Sequence, residues 1–350
     1  MSIVEFIREK IFQLKMSLPG SLQVKLAGGS PVVIRGRTLD PSLQLFAKLS
    51  EGQPTIDTMP VDVARAASAA AYSALASPAR KNISIREEQI PAPEGLLPCR
   101  IYAPISPIEK SPTIIYFHPG GWVIGDLNTG HSYCTELCSR AAATVVSIDY
   151  RLAPENKFPA AVEDAMTAYE WVLENASRLG GDEKKVIVAG ESAGANLAAV
   201  ICQQAMHHRL QQPLCQFLIS PVTDCKNRGL SYQDYSSAFP LTSETMEWFI
   251  RSYLSCDAEA LDERASPLLA DNLEGLATAI IVTTGFDPLL DEGTAYADRL
   301  RSAGVSVHYH CEDSCGHGIS SMSGLSRSCK AASDRSVKIL LEVLQQLHIQ

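Results

Sequence analysis

The chain has 350 residues, 46% apolar and 20% charged, a balance that excludes wholesale disorder, which needs low hydrophobicity with high net charge. Its 30 basic and 39 acidic residues leave a net charge of −9 with no basic stripe, so no nucleic-acid partner is expected. No apolar run reaches the roughly 18 residues of a membrane-spanning helix. Glu5, Arg8, Glu9 and Lys10 interrupt the N-terminal stretch where a secretory leader needs an unbroken run, so the expected location is cytoplasmic.

In chain order, Ile3, Ile7, Ile11, Leu14 and Leu18 recur at helical spacing and predict an amphipathic helix over 3–18, whose apolar face needs a partner. Gly28-Gly29-Ser30 interrupts the chain. Asp40 before Pro41 predicts the N-cap and first turn of a helix over 41–49. An alanine-rich helix is predicted over 61–75. Near Asn82 the texture changes, and short β-branched runs alternate with helical patterns. Strands are predicted at 113–118, 144–149, 186–189, 217–220, 279–285 and 305–311. Helices are predicted over 159–178, stopped by Gly180-Gly181, and over 194–208. This alternation implies a mostly parallel sheet covered by helices on both faces. Residues 224–265 break it and read as an insertion with one helix over 243–254. The 10 cysteines are scattered, which is not a disulfide framework. Cys134 and Cys138, at i, i+4 on a helix, read as buried thiols.

The chemistry concentrates in Gly190-Glu191-Ser192-Ala193-Gly194. Alone, G-x-S-x-G is a weak signal, but here VIVA precedes it as a strand and ANLAAVICQQAM follows it as a helix. That is the strand–turn–helix in which a serine sits on a tight turn, glycines on either side leaving room for the backbone to pack. His118-Pro119-Gly120-Gly121-Trp122 directly follows the TIIYFH strand. A serine nucleophile needs N–H donors aimed at an oxyanion, and paired glycines leave backbone amides unobstructed.

These motifs resemble the HGGG and GDSAGGNLA motifs of the hormone-sensitive-lipase-like esterases, which have the α/β-hydrolase fold. Tyr150–Glu155 is similar to that family's YRLAPE run. Phe286-Asp287-Pro288-Leu289 with Asp291-Glu292-Gly293 resembles its acid loop. The resemblance spans about residues 80–325. It implies oxyanion donors at the amides of Gly120, Gly121 and Ala193, with Trp122 contacting substrate. Pro119 stands where the family has its first glycine; it carries no N–H, but the two donor glycines are present. Glu191 stands where the family more often has Asp or Thr.

The fold expected is the α/β hydrolase over residues 82–350, capped by helices from 1–81 and by the 224–265 insertion. The order Ser, acid, His assigns Ser192 as nucleophile, Asp287 as acid and His317, in Cys315-Gly316-His317-Gly318, as base. Asp291 competes for the acid role. His308 and His310 read as the polar face of an edge strand. His118 reads as a support of the oxyanion loop, and Asp149 and Glu155 as ion partners of Arg151.

No metal set and no dinucleotide-binding glycine pattern is present, so neither metal nor cofactor is expected. The resemblance implies hydrolysis of small carboxylic esters with short to medium acyl chains. The alternatives are an amide- or formamide-cleaving hydrolase of the same fold, and a receptor lacking a working histidine. The N-terminal helix is expected to act as a lid, with a homodimer contact or a membrane-surface contact as alternatives.

Overall fold

The computed structural model describes residues 3–106 and 111–347, with side chains from Lys10 onward. The first helix, α1, runs Ile3–Met16 and is followed by α2, Gly20–Leu26. A short hairpin of β1, Val33–Ile34, and β2, Arg37–Thr38, leads into α3, Pro41–Ser50. Asp40 caps α3 as its position foretold, accepting hydrogen bonds from the amides of Ser42 and Leu43. Helix α4, Val61–Leu75, matches its predicted bounds.

The apolar face predicted for α1 is corrected in its described part; Ile3 and Ile7 lie outside the described side chains. Ile11 and Leu14 are exposed, at 48% and 64%. Phe12 and Met16 turn inward instead, and the Phe12 ring meets Phe46 of α3 edge-on at 5.6 Å. Docking on α3 selects a face one position round from the one the periodicity picked.

An eight-stranded sheet follows, with strands β3, Ile83–Ala92; β4, Gly95–Pro104; β5, Ser111–Phe117; β6, Thr144–Ile148; β7, Gly181–Glu191; β8, Cys215–Ile219; β9, Thr278–Phe286; and β10, Val307–Gly316. Their spatial order is β10-β9-β8-β7-β5-β6-β4-β3. All neighbours are parallel except β3 with β4 and β4 with β6. The β3–β4 hairpin is the one part of the sheet not predicted from sequence. β3 reads ISIREEQIPA and is largely exposed, so it lacks the apolar run that marks the central strands. Its place comes from β4, whose Cys99 lies opposite Ile148 of β6.

Helices cover both faces. α5, His131–Ala141, and α11, Arg327–Gln346, lie on one; α6, Ala160–Asn175, α7, Ala193–His207, and α10, Leu290–Ser302, lie on the other. Strand residues divide between the two cores with period two. Ile115, Phe117, Val146, Val186 and Val188 face α6 and α7, while Ile114, Tyr116, Val145, Ile187 and Ala189 face α5 and α11. Each Val, Ile or Phe among them, fully buried, contributes roughly 1.5–3 kcal/mol of transfer free energy. Cys134 and Cys138 belong to the second core as buried thiols. The connection between β8 and β9 holds two helices, α8, Ser231–Asp234, and α9, Ser243–Tyr253. Among the described residues no helix is long and apolar enough to cross a membrane.

β5 lies between β6 and β7: the chain leaves β5 for β6 on one side and then crosses back to β7 on the other, so a crevice opens at the carboxyl ends of these strands. The segments following β5, β7, β9 and β10 all emerge on that edge.

Candidate active site

Ser192 directly follows β7 with φ +60° and ψ −121°, a sparsely populated conformation for a residue with a side chain. Tight packing holds it there. A Cβ on Gly190 would lie 2.3 Å from the Gly194 carbonyl carbon, and one on Gly194 would lie 2.0 Å from the Phe117 oxygen. The Ser192 amide donates to the Ile219 carbonyl at 2.8 Å, while its own carbonyl accepts from Asn196 at 3.0 Å. Helix α7 begins at the next residue, aiming its positive N-terminus at the turn.

Strand register brings Asp287 and His317 together. Gly316 of β10 pairs with Phe286 of β9, so the residues that follow are neighbours. His317 Nδ1 lies 2.7 Å from Asp287 Oδ2. Asp287 is 1% exposed and also accepts from the Leu289 amide and the Thr284 hydroxyl, both at 2.9 Å. Burial works to raise its pKa, but the His317 charge and these hydrogen bonds outweigh burial and hold it below the ordinary carboxylate value. Burial likewise opposes charge on His317, yet Asp287, with a contribution from Glu191, raises its pKa above the ordinary value.

Gly120 and Gly121 follow β5 with φ +134° and +57°. A Cβ on Gly120 would lie 2.0 Å from the Ile124 oxygen, and one on Gly121 would enter the Phe249 ring at 2.1 Å. Among the described residues neither amide donates to a protein acceptor. The Ala193 amide, first in α7, has no acceptor one turn back. Three unpaired N–H groups therefore flank Ser192. Beneath them, buried His118 bonds through Nδ1 to the Pro119 carbonyl at 2.9 Å and stacks on Tyr150 at 4.3 Å. Burial lowers its pKa to about 4, so it supports the loop as a neutral ring.

A cavity of about 380 Å3 joins these parts. Pro119, Gly120, Gly121, Ser192 and His317 form its floor, with walls from α3, α4, α9 and residues 239–242. Trp122, expected against substrate, requires correction. It is fully buried in the core, stacks on Tyr253 of α9 at 4.2 Å, and does not line the cavity. Asp291 pairs with Arg35 at 2.7 Å and accepts from the Ser231 amide at 2.7 Å, so it braces α8 rather than His317. Arg151 does not pair with Asp149 or Glu155. It binds Asp164 and Glu163, while Glu155 binds Arg65. His310 sits on the edge strand and bonds Glu312 at 3.1 Å.

Two supports were not read from sequence. Glu191, completely buried, accepts from the Ser320 amide at 3.0 Å, the Ser320 hydroxyl at 2.7 Å and the Ser321 hydroxyl at 3.0 Å. The residue before the serine thereby holds the histidine loop. Arg65 of α4 donates to the Val123 and Ala153 carbonyls at 2.8 and 2.9 Å, tying α4 to the glycine loop. A lone cation in an alanine run was the available signal for Arg65. Among the described residues no cluster of side chains could hold a metal ion.

The family model described as alpha/beta hydrolase fold matches residues 114–321. The carboxylic ester hydrolase LipN of Mycobacterium tuberculosis is 39% identical over 325 residues, covering 90% of this chain and 86% of that protein. The ethyl acetate hydrolase of Pseudomonas putida is 33% identical over 319 residues, covering 88% and 99%. The crystal structure of a thermostable esterase from Pseudomonas putida superposes with a TM-score of 0.83 at 30% identity, covering 89% of this chain and 98% of that one. The chain belongs to the α/β-hydrolase fold family, within its hormone-sensitive-lipase-like group of carboxylesterases.

Proposed function

We propose that the protein is a serine carboxylesterase in which His317 takes the Ser192 hydroxyl proton and Ser192 attacks the acyl carbon. The oxyanion forms against the amides of Gly120, Gly121 and Ala193. The alcohol leaves with the proton from His317, and water, activated by the same imidazole, resolves the acyl-enzyme. Asp287 holds the His317 tautomer with Nε2 free and stabilises the imidazolium. The observation that carries this reading is the 2.7 Å His317–Asp287 bond in the cavity that also holds Ser192 on its strained turn. The chemistry needs neither metal nor cofactor.

Residues 1–81 and 224–265 act as a cap on the 82–350 catalytic unit. The contribution of α3, α4 and α9 to the cavity wall supports this division. A volume of about 380 Å3 fits esters of short to medium chain rather than triglycerides. We place the protein in the cytoplasm, a reading that its 10 free cysteines support. Hydrolysis of p-nitrophenyl esters from acetyl to palmitoyl, run beside amide analogues and fluorophosphonate labelling, tests the reading. Turnover is expected to peak at short or medium esters, with labelling lost in Ser192→Ala. Faster cleavage of the amides, or no labelling, would overturn it.

A further inference from the structure

The cavity wall is mostly apolar, and several of the hydroxyls on it are committed to protein partners. Ser50 donates to the Phe46 carbonyl at 3.0 Å, Thr245 to Asp57 at 3.0 Å, and Ser321 to Glu191 at 3.0 Å. Ser68 and Tyr72 differ. Both lie on α4 at i, i+4, the spacing that places two side chains on one helix face, and both line the cavity with Ser192 and His317. Neither hydroxyl has a hydrogen-bond partner among the described residues. Ser68 is 7% exposed, so its hydroxyl has little but the cavity to face. A helical serine without an external partner commonly bonds the carbonyl four residues back, as Ser50 and Ser252 do here, and Ser68 does not. Helix α4 is held at both ends. Arg65 ties it to the glycine loop, and the Leu75 carbonyl accepts from the Gly324 amide at 2.8 Å. The two hydroxyls are thus set on a rigid element at a fixed place relative to the reacting centre.

We propose that Ser68 and Tyr72 form a polar subsite for a second oxygen function on the substrate, a hydroxyl, ketone or ether oxygen in its acyl or alcohol part. The preferred substrates are then oxygen-substituted esters rather than plain alkyl esters. Each hydroxyl can donate and accept, so the pair recognises either kind of oxygen. Burial and the nearby Glu191 charge keep the Tyr72 phenol protonated and able to donate. A plain ester leaves both hydroxyls to whatever water the cavity admits, while a matching substrate oxygen replaces that water at a preset position.

This proposal rests on the esterase reading, and the test separates the two. Ethyl butyrate is compared with ethyl β-hydroxybutyrate, and butyl acetate with ω-hydroxybutyl acetate, each pair differing by one hydroxyl. Ratios of kcat/KM are corrected for the alkaline hydrolysis rates of the esters. The wild type is expected to favour the hydroxylated member of at least one pair by about tenfold. Ser68→Ala and Tyr72→Phe should each lower that ratio, and the double variant should bring it to about one. Hydrolysis of the plain esters with no preference in either pair overturns the subsite and leaves the esterase reading standing. A preference that survives the double variant also overturns the subsite. Failure of the wild type to cleave all four esters removes the esterase reading and the subsite with it.

Discussion

Glu191 is the residue whose replacement tests the site most sharply, because its carboxylate links the nucleophile turn to the histidine loop. It is completely buried and accepts three hydrogen bonds from Ser320 and Ser321. Glu191→Ala strands one amide and two hydroxyls. Hydrogen bonds to a charged group contribute about 1.5–3 kcal/mol each, but the hydroxyls can turn elsewhere, as the Ser321 contact to the Gly318 carbonyl at 3.3 Å indicates. The expected loss is therefore about 3–5 kcal/mol, a large share of a typical folding free energy of roughly 5–15 kcal/mol. Differential scanning calorimetry should show a melting temperature lower by roughly 4–7 °C.

Glu191→Gln keeps the shape and removes the charge. The Glu191 charge helps raise the His317 pKa, so in wild type the acid limb of kcat/KM should lie above the ordinary histidine midpoint. In Glu191→Gln it should move to lower pH. An alanine variant as stable as wild type, together with an unmoved acid limb in the glutamine variant, would refute the linkage.

Ser192→Ala, Asp287→Asn and His317→Ala should each lower kcat by about 10⁴-fold with the fold retained by circular dichroism. Asp291→Asn, whose carboxylate faces Arg35 and Ser231, should keep turnover; the reverse pattern for the two aspartates would reassign the acid. Gly120→Ala places a methyl 2.0 Å from the Ile124 oxygen at a φ of +134°, so the loop must move, and kcat should fall by about 10²-fold in single-turnover assays. Buried Glu292, whose Oε2 has no partner among the described residues, has its pKa raised to about 8. Its folded value lies above its unfolded one, so its contribution favours the fold most below about pH 4.5 and is lost as pH rises toward 8. Glu292→Gln cannot ionise, and its melting temperature should fall less than that of wild type between pH 5 and 8.

What the sequence determined by itself was the chemistry that depends on near neighbours. The turn around Ser192 is written in five consecutive residues, because glycines at 190 and 194 and a flanking strand and helix leave the backbone few other shapes. The Asp40 cap and the bounds of α4 were legible for the same reason, being satisfied within one or two turns. The central strands announced themselves because burial on both faces demands continuous apolar runs. Tertiary structure decided whatever depends on residues far apart in the chain. The β3–β4 hairpin has a polar pattern and becomes sheet only by pairing with β6. Trp122 resembled a substrate contact until α9 brought Tyr253 against it. Arg151 took Asp164 in place of its sequence neighbours, and α1 turned Phe12 rather than Ile11 toward α3. Glu191 and Ser320 stand 129 residues apart, and no local pattern encodes such a pairing. Backbone preference acts over a turn or two, whereas burial and charge pairing act through space and are settled only once the sheet has fixed which loops share an edge.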